Sequence, residues 1–341
     1  MKNAIKYCMA SAVATAVMAG FGAAASAAEI QNRNVKFSYP VSAANPVGKA
    51  VQKYIELVGE KSGGKIKITG FGDAQLGNEI QSMASVQGGI IEMAVVSSAG
   101  AAGNVKELAV FDLPFVFQSV KESDAVLDGP VGKGLLEKFK DKNMVGLCYW
   151  DYGFRQVSNS KRPISKMEDF AGLKIRTLQN RVYIDIFKAL GANPLPLPYP
   201  ETYTALETKA IDGQESAYLV TKSSSYQDVQ KYLTETRHVF LPAPVIVSKR
   251  FWDRLSKDEQ KILQDACDES VAYFRQISRE MEKNVVGELV AAGMVFNQIP
   301  DSEKARMVEV TKPVFEQYRK EIGAELVDQM MQQVQQARKG S

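Results

Sequence analysis

Two arginines near the middle of the chain, Arg155 and Arg176, are the residues whose type and spacing point most clearly to chemistry. They lie on separate strand-like stretches, and a tyrosine-containing turn and a turn with acidic and amide side chains follow before Ser216. A guanidinium group presents a planar fork of hydrogen-bond donors that matches a carboxylate, and it stays charged. The pattern therefore suits a pocket for a small carboxylate.

The residue alternation around Arg176 also has a simpler interpretation. Apolar and charged residues alternate in Leu173-Lys174-Ile175-Arg176, so both cations are predicted to face solvent on a half-buried strand. A surface position at the edge of a strand is the corresponding alternative for Arg155. From the pattern alone we favour the solvent-facing position for Arg176, because arginine is mostly exposed in folded proteins.

The sequence carries no recognisable catalytic apparatus. Its single histidine, His238, lies in a strand-like stretch and is more typical of a structural residue than of a catalytic one. A Gly-x-Ser-x-Gly turn and the glycine-rich phosphate and dinucleotide loops are absent from the sequence. Histidine and cysteine are too few for a zinc site. Catalysis by carboxylates alone stays open, and we expect neither a metal nor a cofactor.

The first 27 residues are predicted to be a cleaved signal peptide. Lys2 and Lys6 form a basic start, an apolar run covers residues 9–25, and Ala25-Ser26-Ala27 gives a small-x-small cleavage pattern. The alternative is a membrane anchor, which the short and alanine-rich run disfavours. We therefore expect a protein that is exported to the periplasm.

The chain without this leader is close to neutral and large enough for two domains. Loss of Lys2 and Lys6 takes the formal charge from +3 to +1, which argues against nucleic acid as a partner. About 314 residues remain (341 minus 27). Two cysteines remain as well, Cys148 and Cys267. We predict two separate buried thiols, with a disulfide as the alternative.

The first half of the chain alternates strands and helices. Strands are predicted at residues 35–39, 65–70 and 92–97, with helices between them that begin at Asn45-Pro46 and at Glu79. This order predicts a largely parallel sheet. Ligands bind outside the carboxyl ends of such strands, so we expect a site rim in the loops after Tyr39, Gly70 and Ser97.

The second half is predicted to contain several helices and one very long one. Strands are expected at 145–151 and 173–177, and helices at 181–190, 201–209, 217–229, 302–322 and 324–338. Ser256 with Glu259 fits a capping box that opens a helix of about 35 residues, roughly 50 Å long. Such a helix can brace two domains, or it can be two helices broken near Ser270.

Seven short motifs stand in order along the chain, namely Gln75-Leu76-Gly77, Asp112-Leu113-Pro114-Phe115, Gly153-Phe154-Arg155, Asn159-Ser160-Lys161-Arg162-Pro163-Ile164, Gly172-Leu173-Lys174-Ile175-Arg176, Gly191-Ala192-Asn193-Pro194 and Asp212-Gly213-Gln214-Glu215. Together they resemble the solute-binding proteins of tripartite ATP-independent periplasmic (TRAP) transporters, the DctP family. The resemblance covers residues 35–322.

The resemblance implies an α/β fold of the two-domain periplasmic binding protein type, with hinge strands and a long helix that spans both domains. Domain I would comprise residues 29–152 plus 242–281. Domain II would comprise 153–241 plus 282–323, followed by a C-terminal helix and tail at 324–341. Ligand would bind in the cleft between the domains, which close by hinge bending.

The resemblance also assigns roles to site residues. The arginine that matches Arg176 forms a two-pronged salt bridge with the ligand carboxylate in this family, and Arg155 matches a second cleft arginine. Tyr199 falls where members carry an aromatic ring that packs on the ligand. Gln179 and Asn180 stand at the mouth of a helix, where amides and free N–H groups can meet an anion. A simple N-cap is the other interpretation of Asn180, and the two roles are compatible.

Two positions depart from the family pattern. Ser216 replaces the asparagine of many members, so that an amide contact with the ligand is lost or bridged by water. Arg181 stands where many members have proline or a small residue, and it is a third candidate cation. The remaining candidates for the rim of the site are Asn45, Glu79, Trp150 and Tyr152, and a purely structural role is the alternative for each of them.

These observations predict a monomeric receptor, not an enzyme, that captures a small organic acid and delivers it to the membrane subunits of a TRAP permease. The acid is expected to be a sugar acid or another mono- or dicarboxylate, and a dicarboxylate would use Arg155 or Arg181 at its far end. The alternatives are a secreted enzyme with paired carboxylates and a protein that presents a ligand to a sensor kinase.

Overall fold

Strands and helices alternate along the computed structural model, which describes residues 29–339. The predicted signal peptide lies outside the described residues. The strands are β1 (Arg33–Ser38), β2 (Ile66–Phe71), β3 (Met93–Val95), β4 (Met144–Asn159), β5 (Lys174–Thr177), β6 (Asn193–Pro196), β7 (Gly213–Ala217), β8 (Tyr232–Glu235), β9 (Phe240–Ser248) and β10 (Val295–Gln298).

The α-helices are α1 (Pro46–Lys61), α2 (Glu79–Gly88), α3 (Ser98–Ala101), α4 (Val120–Asp128), α5 (Pro130–Glu137), α6 (Arg181–Ala189), α7 (Thr202–Glu207), α8 (Tyr218–Ser223), α9 (Lys249–Trp252), α10 (Lys257–Ala291), α11 (Asp301–Ile322) and α12 (Ala324–Lys339). Short 3-10 helices cover Lys106–Asp112, Lys138–Lys142, Met167–Phe170, Tyr199–Glu201 and Tyr226–Asp228.

Local signals account for most of the predicted helices. In α1 the Asn45 side chain accepts a hydrogen bond from Val47 N at 3.0 Å, and Pro46 occupies the first turn.

The helix predicted at 217–229 is wrong. Strand β7 ends at Ala217, α8 stops at Ser223, and Ser225 adopts a left-handed φ of 55° that a helix cannot continue.

The sheet consists of two parallel blocks joined by two long antiparallel strands. The strand order is β2-β1-β3-β9-β4-β7-β5-β6, and β8 pairs with both β4 and β10. Strands β1, β2 and β3 are parallel, as are β5, β6 and β7, whereas β4 and β9 run antiparallel to their neighbours. The parallel arrangement predicted from the first three strands is therefore confirmed, and the two joining strands are antiparallel.

Strand β4 passes from one block to the other. Its residues pair with β9 as far as Phe154, and from Arg155 onwards they pair with β7. A register shift lies between Asp151 and Gly153, where Gly153 has a φ of +92°. We call the part of the molecule on the β1 side lobe 1 and the part on the β5 side lobe 2. The predicted domain boundaries stay a prediction.

Helix α10 is continuous over 35 residues and packs on both lobes. Ser256 Oγ accepts from Glu259 N at 3.1 Å, and the Glu259 carboxylate accepts from Ser256 N at 2.8 Å, so the predicted capping box is confirmed. The helix contacts α1 in lobe 1 and α8 in lobe 2. It does not break near Ser270, whose hydroxyl bonds within the helix to Cys267 O.

A disulfide joins Cys148 of β4 to Cys267 of α10, so our prediction of two separate thiols is wrong. The Cα atoms of the two residues are 5.9 Å apart, which lies within the usual range for a bridge. Both side chains are buried where α10 crosses the sheet. The bridge ties strand β4 to helix α10, two of the long elements that pass between the lobes.

None of the helices within residues 29–339 combines the length and the apolar character that a bilayer crossing requires.

We predict that the Cys148→Ala/Cys267→Ala double variant loses about 2–4 kcal/mol of unfolding free energy, because the bridge closes a loop of 119 residues in the unfolded chain. Urea unfolding of the variant and of oxidised wild type would measure the difference. Reductant should lower the midpoint of wild type and leave that of the variant unchanged. Equal midpoints for oxidised wild type and variant would contradict the prediction.

Candidate ligand-binding site

A small cavity lies between the lobes, beside the point where β4 passes from one to the other. Lobe 1 provides residues from the loop after β1, from α2, from the loop after β3 and from β4 and β9. Lobe 2 provides residues from β4, β5, β7, α8 and the turn before α7. The lining residues are Pro40, Val41, Glu79, Ser97, Tyr152, Arg155, Arg176, Leu178, Tyr199, Ser216, Val220 and Leu241.

Arg176 is a buried cation without an acidic partner. Its side chain is 2% exposed, while Lys174 on the same strand is exposed, so the solvent-facing interpretation is wrong for Arg176. Arg176 Nε and Nη2 both donate to Leu197 O, at 3.0 and 2.7 Å. None of the carboxylates in residues 29–339 forms an ion pair with it. Burial lowers the pKa of Arg176, but a guanidinium stays charged.

Arg155, in contrast, is neutralised within the protein. It is 3% exposed, and it donates from Nε to the Glu215 carboxylate and from Nη2 to Glu215 O. Tyr183 lies under the guanidinium, with 5.5 Å from Arg155 Cζ to the ring centroid. The antiparallel register of β4 and β7 pairs Arg155 with Ala217, which brings Glu215 alongside. Arg155 lines the cavity, as predicted for a site residue, but its charge is balanced by an ion pair with Glu215.

Glu215 also holds His238, the only histidine of the chain. His238 Nε2 lies 3.3 Å from Glu215 Oε2, and its Nδ1 lies 2.7 Å from Thr236 Oγ1. Burial opposes the charge on Glu215, but Arg155 and His238 outweigh it and lower the pKa of the carboxyl. Burial lowers the pKa of His238 as well. A neutral imidazole with its proton on Nε2 satisfies both contacts, which makes His238 a structural residue.

Glu79 contributes a carboxylate from lobe 1. It is the first residue of α2, and its oxygens accept from Ser97 N at 2.7 Å and from Ser97 Oγ at 2.8 Å. Ser97 Oγ itself accepts from Gly100 N, so its own proton points to Glu79. Burial raises the pKa of Glu79, while the Ser97 bonds and Arg176 partly offset this effect. The side chain is half-buried and does not pair with Arg176.

Three further hydroxyl groups line the cavity. Tyr152 Oη is buried and has no hydrogen-bond partner. Tyr199 Oη lies 2.6 Å from Ser224 Oγ, and Ser216 Oγ lies 3.3 Å from Thr221 Oγ1. Tyr152 is therefore the one tyrosine of the cavity wall, within the described chain, whose hydroxyl lacks a partner.

A second small cavity shares part of its wall with the first. The two share Glu79, Arg176, Leu178 and Tyr199, and the predicted site residue Gln179 lines the second one. Arg176 thus lies on the wall of both cavities.

The other predicted site residues lie outside these cavities. Trp150 is fully buried in the core, where its indole N–H donates to Ser270 Oγ at 3.1 Å. Arg181 is exposed at the start of α6, on an outer groove between the lobes. Asn45 and Asn180 are N-caps of α1 and α6. Their amide groups point across the boundary between the lobes.

These two N-cap residues make matching contacts from opposite sides. Asn45 of lobe 1 donates from Nδ2 to Ser223 Oγ of lobe 2 at 3.1 Å. Asn180 of lobe 2 donates from Nδ2 to Ala99 O at 3.0 Å and to Asp112 Oδ2 at 2.9 Å, both in lobe 1. Their Oδ1 atoms cap their own helices. The N-cap alternative for Asn180 is therefore correct, and the same residue also joins the lobes.

Sequence reasoning missed several residues of the site. Ser97 ends the strand stretch predicted at 92–97, and the loop after it was expected at the rim, but its contact with Glu79 depends on how α2 packs. Glu215 and Asp112 belong to motifs to which no role was assigned. The apolar lining residues, Leu178, Val220 and Leu241, carry no signal that separates them from core residues.

The described residues contain no cluster of three or more histidine, cysteine, aspartate or glutamate side chains that could hold a metal ion. The arrangement instead offers one unpaired cation, one carboxylate and one phenol without a hydrogen-bond partner among the residues that line the small cavity.

Comparison with known proteins agrees with the geometry. The family model "Bacterial extracellular solute-binding protein, family 7" (DctP) matches residues 37–321. The chain is 34% identical to the 2,3-diketo-L-gulonate-binding periplasmic protein YiaO of Escherichia coli over 272 residues, which is 80% of this chain and 83% of that protein.

Two solved structures are similar over nearly the whole described chain. One is the sugar acid binding protein DctPAm of Advenella mimigardefordensis in complex with galactonate, with 38% identity, a TM-score of 0.89, and coverage of 90% of this chain and 99% of that one. The other is a TRAP periplasmic solute-binding protein of Ochrobactrum anthropi, with 40% identity, a TM-score of 0.83, and coverage of 92% and 98%.

These similarities confirm the fold expected from the sequence motifs, that of the two-domain TRAP periplasmic binding proteins. The chain belongs to family 7 of the bacterial extracellular solute-binding proteins, the DctP family of TRAP solute-binding proteins.

Proposed function

We propose that this protein is the periplasmic receptor of a TRAP transporter, and that it captures a small organic acid by pairing the acid's carboxylate with Arg176. The single observation that carries the proposal is the buried guanidinium of Arg176 at the cavity wall, with two nitrogens on Leu197 O and no acidic partner in the described chain. A ligand carboxylate supplies the missing charge.

The neighbouring arginine supports this assignment. Because Glu215 matches the charge of Arg155, the cavity has one cation to offer a ligand rather than two. Hydrogen bonds to charged groups contribute about 1.5–3 kcal/mol each, so a two-pronged contact accounts for much of a micromolar affinity. Arg155 then lines the cavity while it stays paired with Glu215, and it does not bind the ligand carboxylate itself. The ring of Tyr199 packs on the remainder of the ligand.

The contacts between the lobes support closure around the ligand. Asn45 and Asn180 bond across the boundary in opposite directions, and residues of both lobes line the cavity that Arg176 lines. We infer that these bonds form when the cleft closes and that β4 bends near Gly153, where the strand changes partner. The domain boundaries at residues 152/153 and 241/242 follow from this hinge.

The remaining parts of the proposal follow from the family. The closed, loaded receptor would be recognised by the membrane subunits of a TRAP permease, without chemical change to the acid. The relatives described above bind 2,3-diketo-L-gulonate and galactonate. These acids, together with succinate as a dicarboxylate, form the first panel for a thermal-shift screen of the purified monomeric protein, in which a ligand at a hundred times its Kd adds about 2.7 kcal/mol.

We predict that Arg176→Ala weakens binding of the best acid from this panel by at least about 100-fold, because two charged hydrogen bonds are lost. Isothermal titration calorimetry would measure the change. Arg176→Lys should recover only part of the affinity, because an ammonium cannot form the planar two-pronged contact.

Lys174→Ala is the matched control, since it removes an exposed cation from the same strand, and Arg181→Ala tests the third candidate cation. Both should bind like wild type. Wild-type affinity in Arg176→Ala would show that the carboxylate is held elsewhere.

We predict that Asn180→Asp weakens ligand binding about tenfold, because the variant keeps the helix cap but replaces the interlobe donor with an acceptor that faces Asp112. Asn180→Ser should have a smaller effect, since it adds no charge. Asn193→Asp makes the same charge change at an exposed site of lobe 2 and serves as the control. Calorimetry with the same acid would measure the affinities, and unfolding of the unliganded variants would check that each folds. Equal affinities for all three variants would contradict the role of Asn180 in binding.

A further inference from the structure

Asp112 is a buried carboxyl at the boundary between the lobes. It is the last residue of the 3-10 helix Lys106–Asp112 in lobe 1, and it is fully buried. It lines neither of the two small cavities, so the proposed site leaves the first residue of the Asp112-Leu113-Pro114-Phe115 motif without a role. Because burial of a carboxylate costs free energy, its position away from the cavities needs an explanation of its own.

The hydrogen-bond partners of Asp112 belong to lobe 2 and carry no charge. Asn180 Nδ2 donates to Asp112 Oδ2 at 2.9 Å, and Tyr183 Oη lies 3.5 Å from Asp112 Oδ1. Asn180 caps α6, and Tyr183 lies in the first turn of the same helix. Ser98 of lobe 1 also favours the ionised carboxyl, but less strongly than these two groups. Asp112 therefore contacts lobe 2 through the start of α6.

Asp112 forms no ion pair within residues 29–339. The cation that acts on it most strongly is Arg155 of β4, which is paired with Glu215. Tyr183 is the other ionisable group that faces it, and burial raises the pKa of this phenol, which therefore stays neutral. The charge of an ionised Asp112 would thus be buried without a dedicated counter-charge.

The other elements around the 3-10 helix supply no counter-charge from the described chain. Helix α3 and strand β9 contain no ionisable side chain. Helices α11 and α12 pack on the same segment, but Tyr318 of α11 donates to Asp185, and Arg338 of α12 pairs with Glu122. The loop before β9 contributes His238, which stays neutral because burial lowers its pKa.

This setting favours the protonated form of Asp112. Burial raises the pKa of the carboxyl well above its ordinary value, and the neighbouring donors and Arg155 offset only part of the effect. Protonation costs no hydrogen bond, because Oδ2 still accepts from Asn180 and a protonated Oδ1 can donate to the Tyr183 oxygen. In the open cleft of the proposed function α6 moves away with lobe 2, so water reaches the carboxyl and its pKa returns to about 4.

We propose that Asp112 is a proton-linked latch between the lobes, which takes up a proton when the cleft closes and so makes ligand binding tighter as the pH falls. The gain is complete below the pKa of Asp112 in the open form, and it is lost as the pH rises through the higher pKa of the closed form. Between the two values the affinity changes by at most about tenfold per pH unit. This inference rests on the proposed function, since it takes ligand binding to close the cleft.

The test is calorimetry with sodium galactonate, whose own carboxyl stays ionised above about pH 5. Titrations at pH 5.5, 6.5 and 7.5, each in two buffers of different ionisation enthalpy, give the affinity and the number of protons taken up. Wild type should bind at least about fivefold more tightly at pH 5.5 than at pH 7.5 and take up about half a proton or more at pH 5.5.

Asp112→Asn should bind at least as tightly as wild type at pH 7.5, with neither pH dependence nor proton uptake, because its amide reproduces the hydrogen bonds of a protonated carboxyl. Asp141→Asn is the matched control, since it removes an exposed carboxylate from lobe 1, and it should behave like wild type. Unfolding of the unliganded variants would show that each folds. Infrared difference spectra of wild type, with and without galactonate, should gain the carbonyl band of a protonated carboxyl.

The outcomes separate this inference from the proposed function. If Arg176→Ala keeps full affinity for galactonate, the carboxylate clamp is wrong. If Arg176→Ala loses binding but wild type binds without proton uptake, the clamp stands and the latch is wrong. Proton uptake that persists in Asp112→Asn would assign the proton to another group, such as Glu79 at the cavity wall, and would also overturn the inference.

Discussion

Burying a guanidinium that has no acidic partner costs free energy, and Arg176 at the wall of the cleft is such a group. Arg176 loses most of its hydration and recovers two hydrogen bonds from a single carbonyl, that of Leu197. Residues of both lobes line the cavity around this buried charge. In the proposed function a ligand carboxylate offsets the free-energy cost of burying it, so the same contact favours both binding and closure.

Because Arg155 pairs with Glu215, Arg176 is the one arginine of the described cavity wall that has no acidic partner. Buried ion pairs add little net stability, but they fix geometry. Here one carboxylate holds Arg155 of β4, His238 before β9 and, at 3.3 Å, the backbone N–H of Leu178 after β5. Glu215 therefore aligns three segments at the edge of the cavity. Arg155 therefore holds neighbouring strands in place at the site through its ion pair with Glu215.

How far the sequence predicts this molecule depends on the distance over which each signal acts. Helices α1 and α10 were predictable, because their caps and apolar periodicity are local. The Cys148–Cys267 bridge was not, because it depends on how β4 and α10 pack, 119 residues apart. The motif match indicated Arg176, but its burial and the orphaned hydroxyl of Tyr152 depend on strands and helices from both lobes. Residues such as Leu178 have no local signature at all.

The bridge between β4 and α10 also constrains how the molecule can move. These elements pass between the lobes along separate paths, and a link between them in lobe 1 prevents the helix from sliding along the strand. The closure proposed above would then be a rotation of one lobe against the other. Both Asn45 and Asn180 bond across the boundary between the lobes, so the proposed closure would form their hydrogen bonds in the same movement.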